Sequence, residues 1–230
     1  FINSGVVYAG SGNDQIVMGD NVIVFGEMGD DNITFSSGEA SGGGGNDSYH
    51  IHGMSATVIE EVNGGFDSAH YYWSASAPTN MLADNVENLY LHSIKDYQSD
   101  YYYSGFAKGN SADNTIYGDS GNNTLYGGAG FDLLIGGGGN DRYVLDVVYE
   151  DVIVEDADDS IDTVVSPFSL TLSDEYQNIE HIEFIGSDNL VGTGNDKSNR
   201  IYGADGNDTI EGLAGDDLLV GGHGNDILVG

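Results

Sequence analysis

Residues 118–144 read GDSGNNTLY, GGAGFDLLI and GGGGNDRYV, three nonapeptides that follow one another without a spacer. Each runs Gly-x-x-Gly-x-(Asp/Asn)-x-(large apolar)-x. Nine residues is too short for a helical repeat and too regular for a linker. The pattern divides into a six-residue loop and a three-residue strand. Glycine at positions one and four admits backbone angles that other residues resist. The apolar residue at position eight, here Leu125, Leu134 or Tyr143, is the middle of the strand and points inward.

Two such units make one turn of a flat coil, so each loop lies above the loop two repeats earlier. Equivalent position-six side chains are then about 4.8 Å apart. Two carboxylates at that separation repel by about 3 kcal/mol at an effective dielectric of ~20. A column of such pairs stacks only with a cation between them. Aspartate and backbone carbonyl oxygens are the ligand set of a hard divalent ion, and calcium fits best.

The repeats resemble the GGxGxDxUx nonapeptide of the repeats-in-toxin (RTX) proteins, which form calcium-bound parallel β-rolls. The resemblance implies an all-β fold: a right-handed parallel β-roll, or β-solenoid, of calcium-binding nonapeptides with wider β-rich turns between the repeat runs. Carrying the family's carboxylate ligand onto position six gives Asp14, Asp31, Asp47, Asp132, Asp141, Asp208, Asp217 and Asp226 as metal ligands. Stacking two repeats apart pairs Asp14 with Asp31, Asp31 with Asp47, and Asp208 with Asp226. It also pairs Asn114 with Asp132, Asn123 with Asp141, and Asn199 with Asp217. At those three asparagines the chain departs from the family pattern. Asparagine offers a carbonyl oxygen but no charge, so weaker sites are expected there.

Composition narrows the classes. The 230 residues include 36 Gly, 2 Pro and no Cys, with a formal net charge of −33. Five basic residues against 38 acidic ones exclude nucleic acid and anionic membrane as partners, since both need a cationic surface. The same charge expands the chain by self-repulsion unless cations offset it, so folding is expected to couple to metal binding. Without cysteine there are no disulfide staples, a role left to calcium. No apolar run approaches the length of a membrane-spanning helix. The chain starts at Phe1, with neither Met nor a signal peptide, and reads as a piece of something longer or a processed form.

Five segments follow from the rhythm: a first repeat run over 1–50, a wider segment over 51–108, a second run over 109–144, a wider segment over 145–194 and a third run over 195–230. In the first run, Ala9–Val17, Gly26–Thr34 and Gly42–His50 are good copies. The units between them are one and two residues short and lose the position-six aspartate, which predicts a roll with calcium on one side only. The wider segments correspond to each other: Ile161-Asp162-Thr163 matches Phe66-Asp67-Ser68, and Asn178-Ile179-Glu180 matches Asn85-Val86-Glu87. A large module therefore recurs, and its wider segments are expected to be broad turns of one solenoid.

Catalysis finds little support. There is no thiolate, no HExxH and no GxSxG, so a non-enzyme is expected. His50 and His52 share a strand face but lack a third ligand. Adjacent Glu60 and Glu61 point to opposite faces of a strand and cannot act as an acid–base pair. The aromatic runs Tyr71-Tyr72-Trp73 and Tyr101-Tyr102-Tyr103 either fill the core of the wide turns or offer rings to glycans. Four sequons, at Asn32, Asn46, Asn122 and Asn207, fall within repeats. Gly230 joined to Phe1–Tyr8 makes another nonapeptide in phase with Ala9, which allows copies to stack head to tail.

The expected function is a calcium-binding, non-catalytic structural β-roll of a secreted bacterial surface or extracellular protein, folding on calcium. By resemblance, type I export would deliver it unfolded into millimolar external calcium. Three classes stay open: a filament or surface layer, a stalk or glycan-binding region of an adhesin, and an accessory module of a secreted enzyme.

Overall fold

A computed structural model describes residues 5–73, 79–93, 104–146, 151–172, 176 and 178–230. Its described elements are parallel strands stacked into a β-solenoid. From β7 (Thr79–Met81) onward the chain alternates, strand by strand, between an eight-stranded sheet and the side opposite it. That opposite side is a ten-stranded sheet as far as β14 (Val152–Val154), and thereafter a four-stranded sheet ending in β22 (Ile227–Val229).

The nine-residue rhythm becomes register. β10 (Thr115–Tyr117) pairs with β12 (Leu133–Ile135), and β11 (Asn123–Tyr126) with β13 (Arg142–Val144), each residue facing its counterpart two repeats on. Turns made of two full nonapeptides advance by 18 residues. The first run is tighter, at 17 and then 16, as its short units require. The loss lengthens strands: β3 (Val22–Met28) and β4 (Asn32–Gly44) run extended through positions that form loops elsewhere. The wider segments belong to the same stack. β5 (Ser48–Val58), β6 (Ser68–Trp73) and β8 (Asn88–Ser93) join β4 to β10 in one ladder, with turns of 20 residues. One long turn of 27 residues follows Glu87.

Position eight supplies the core. Ile33, Tyr49, Leu89, Ile116 and Leu134 on one side, and Leu125, Tyr143, Ile182 and Ile201 on the other, are fully buried. A column of such side chains is removed from water with no polar atom among them except the two phenols of Tyr49 and Tyr143. Glycine plays two different parts. At position four it takes left-handed backbone angles, as at Gly139 (φ 105°). At position one it does not; there a β-carbon on Gly42, Gly127 or Gly136 would collide with the aspartate of the same loop. The first glycine makes room for the carboxylate.

Candidate metal centre

The stacked loops turn position six into a hydrogen-bonded ladder. The backbone N–H of Asp14 donates to Asp31 Oδ1 (2.8 Å), that of Asp31 to Asp47 (2.7 Å), and that of Asp208 to Asp226 (3.0 Å). The amides of Asn114, Asn123 and Asn199 donate likewise to Asp132, Asp141 and Asp217, at 2.7, 2.7 and 2.9 Å. All six expected pairs are therefore stacked neighbours, including the one across the short unit at 35–41. On the other edge of the first run, Asp20 accepts from the Ser36 hydroxyl (2.8 Å) and Ser37 from the Asn21 amide (3.0 Å), with no such aspartate column among the described residues.

The ladder runs on through residues that nonapeptide spacing does not identify. The backbone N–H of Asp47 donates to the carboxylate of Asp67, that of Asp67 to Glu87, that of Asp132 to Asp151, that of Asp141 to Asp162, and that of Asp162 to Glu180. Asp67 and Asp162, and Glu87 and Glu180, stand at matching places of the duplicated module, which was the available signal. A second, outer ladder forms at position five, where Asn13, Asp30, Asn46, Asn122, Asn140 and Asn207 each accept from the amide of the following turn at 2.8–3.0 Å. All four sequon asparagines have their side chains tied into the stack: Asn46, Asn122 and Asn207 by this ladder, and Asn32 by a contact of its amide nitrogen with His50 Nε2 (3.2 Å).

Six aspartates of the inner ladder spend one oxygen on this bond and leave the other without a partner. Asp31, Asp47, Asp67, Asp132, Asp141 and Asp151 all have a buried Oδ2 without a hydrogen-bond partner. An unsatisfied buried charged group costs about 1–3 kcal/mol or more, so a column of them demands a proton or a cation. Burial pushes the Asp132 carboxyl up to about 6 and Asp141 to about 8, with neighbouring Asp113 adding to the first and Glu155 to the second. Burial also raises Asp151 to about 7, with Asp132 repelling it. The ion pairs among the described residues join Arg142 to Glu183 (2.7 Å), off the ladder, and Lys197 to the ladder residue Glu180 (3.3 Å), and neither reaches the orphaned aspartates. Hard oxygen donors, uncompensated and walled by glycine, fit a hard divalent ion.

The asparagines differ from the aspartates. Asn114, Asn123 and Asn199 turn Oδ1 onto the backbone N–H four residues back, at Asn110, Asp119 and Asn195, at 2.7–2.8 Å. The Asn114 and Asn199 amide groups also donate to the backbone oxygens of Glu87 and Glu180. Their loops are held by internal hydrogen bonds, where those of Asp31, Asp47, Asp132 and Asp141 leave an oxygen without a partner.

Outside the loops, the strand faces carry rings in register. His50, His70, Tyr90 and Tyr117 stack at centroid separations of 4.7, 4.4 and 4.4 Å. His52, Tyr72 and His92 form a second column at 4.5 Å steps. Tyr71 packs against the core instead, and burial raises its phenol to about 12. The alternation of the aromatic run is thus divided between core and surface. Tyr101–Tyr103 and the Trp73 side chain lie outside the described residues.

A parallel β-solenoid whose glycine-walled loops hold columns of uncompensated aspartate is, by its chemistry, a calcium-binding β-roll. Residues 108–143, 185–211 and 193–228 match the RTX calcium-binding nonapeptide repeat (4 copies), and the chain carries that family's repeats. Calcium is the ion these repeats take, and their number implies several ions. No curated protein matches the chain. No helix among the described residues is long and apolar enough to cross a membrane.

Proposed function

We propose that the chain is a non-catalytic structural β-roll of a secreted, extracellular or cell-surface protein that folds when it meets external calcium. The observation that carries this reading is the set of six orphaned aspartate oxygens along the stack. In a calcium-poor compartment the −33 chain repels itself, and at about 10⁻⁴–10⁻³ M calcium, the range of extracellular modules, the columns are neutralised. Asp14, Asp31, Asp47, Asp132, Asp141, Asp208, Asp217 and Asp226 are the carboxylate ligands in this reading. Asn114, Asn123 and Asn199 close the loops beside them. Head-to-tail association with further copies is the finer proposal, supported by the constant 18-residue register in which successive turns of the last run stack on one another. The test is calcium titration of the EDTA-stripped chain, following circular dichroism and light scattering together. A coil-to-β transition near millimolar calcium is expected, with scattering rising in step. Unchanged β-structure without calcium would sink the reading, and flat scattering would remove self-association alone.

Glycan contact is a second reading, favoured by the outward columns of His50, His70, Tyr90 and Tyr117 and of His52, Tyr72 and His92. Loss of glycan-array binding on Tyr72→Ala is its expected signature.

A further inference from the structure

Two carboxylate triads lie where a nonapeptide run passes into a wider turn. Asp47, Glu60 and Asp67 bring ligand oxygens within 4.8 Å of one another, and so do Asp141, Glu155 and Asp162. Neither glutamate belongs to a nonapeptide, and both lie outside the matched repeats. The surroundings repeat as closely as the triads. The Tyr49 phenol donates to Glu60, and the Tyr143 phenol to Glu155. The Asn85 side chain holds the backbone oxygen of Glu60 at 3.0 Å, and Asn178 holds that of Glu155 at 3.0 Å. The amides of Glu61 and Asp156 bind back to the same carboxylates at 3.1 and 3.0 Å. Each glutamate is therefore oriented from two sides.

The triads are more than acidic clusters. Asp47, Asp67 and Asp141 are at most 2% exposed, and in each the Oδ2 turned into the site has no partner. Tyrosine also replaces the usual leucine or isoleucine of position eight in these two repeats. The phenol supplies the hydrogen bond that fixes the extra glutamate over the loop, next to Gly42 and Gly136.

We propose that Asp47–Glu60–Asp67 and Asp141–Glu155–Asp162 are two three-carboxylate calcium sites, in which a repeat aspartate is joined by two carboxylates of the wide turn, and that they fill first. The proposal rests on the calcium-dependent reading above. Affinity in oxygen-ligand sites rises with the number of charged ligands and the rigidity of the cage. Here the charge count goes from two to three, and the added ligand is held by a phenol and a backbone amide. Their placement, one at each passage from repeat to wide turn, makes them the points from which folding spreads in both directions.

The intact chain, Glu60→Gln/Glu155→Gln and Tyr49→Phe/Tyr143→Phe test this by calcorimetric calcium titration and tyrosine-sensitised terbium luminescence. The intact chain is expected to bind two ions about tenfold or more tighter than the rest. The glutamine variant is expected to lose those two ions, with its β-transition moved to about tenfold higher calcium. The phenylalanine variant should keep the ions but lose over half the luminescence of the first two terbium equivalents. A folded glutamine variant that retains both tight ions overturns the proposal. If that variant does not fold, the phenylalanine variant decides: unchanged early luminescence overturns the proposal. An intact chain that binds no calcium fails the parent reading instead, a result distinct from either.

Discussion

The turns around Tyr49 and Tyr143 and the loops of Asp217 and Asp226 are built on the same aspartate loop, yet they bury it differently. Asp47, Asp67, Asp141 and Asp162, each with a further turn stacked on it, are at most 2% exposed, and so is Asp208 beside the loop of Asp226. Asp217 and Asp226 are half-open to solvent, beside exposed Leu218, Val220 and Ile227. The motif places a carboxylate in both regions. What covers the loop decides how much that carboxylate costs without a cation, because the penalty for an unpaired charge rises steeply as water is excluded. Each stacked turn therefore acts on the loop beneath it electrostatically as well as sterically.

The most severe way to break this comparison is to remove calcium. EDTA at neutral pH is expected to abolish most of the β-signal in circular dichroism, because orphaned carboxylates run through the whole central stack. Retention of the full signal would mean that protons, not cations, keep the columns neutral.

A smaller effect compares one aspartate from each region. At calcium about 100-fold above Kd, losing a bound ion costs about 2.7 kcal/mol, the expected scale for Asp141→Ala in urea unfolding. Asp226→Ala, at a solvent-open position, is expected to cost about 1 kcal/mol. Equal costs would show that burial does not separate the two regions.

Glycine sharpens the contrast at the level of backbone contact. Gly139 has φ 105°, and a β-carbon there would lie 2.7 Å from the carbonyl oxygen of Gly121 in the preceding turn. Gly10 has φ 103° but open space around it. Gly10→Ala should therefore cost about 1–2 kcal/mol from the backbone angle alone, and Gly139→Ala about 3 kcal/mol or more. Thermal unfolding in saturating calcium measures both.

The smallest expected effect concerns the ring columns. Burial lowers the His70 imidazole to about 4, with His50 and His92 beside it adding to the shift. Burial also lowers His50 and His92, the latter opposed by Asp119. A lowered pKa in the folded chain means stability that is present above about pH 6.5 and lost as pH falls through the folded values. With calcium saturating, the melting temperature should fall between pH 7 and pH 4, and His70→Gln should flatten that fall.

How legible the fold was depended on spacing. Position eight marked Leu125, Leu134 and Tyr143 as core, and the short units of the first run foretold turns of 17 and 16 residues. Every position-six pair read from the repeats is a stacked pair. The continuation through Asp67, Glu87, Asp151, Asp162 and Glu180 was visible only as correspondence between the two wide segments, since no fixed interval leads from Asp47 to Asp67. Glu60 was set aside because its neighbour Glu61 points the other way. The two lie just past the end of β5, where Glu60 is turned inward and Glu61 stays exposed. A buried tyrosine hydroxyl needs a partner, and Tyr49 and Tyr143 were the clue that a polar group must approach position eight.

The sequence by itself determined the period, the inward column and the acidic edge, because a nine-residue phase survives any local ambiguity: each property depends on position within the repeat alone. Only the tertiary structure decided which carboxylates meet in threes and which asparagines seal their own loops. Those outcomes depend on where turns of 16 to 27 residues return the chain, and on which turn then shuts water out of the loop beneath it.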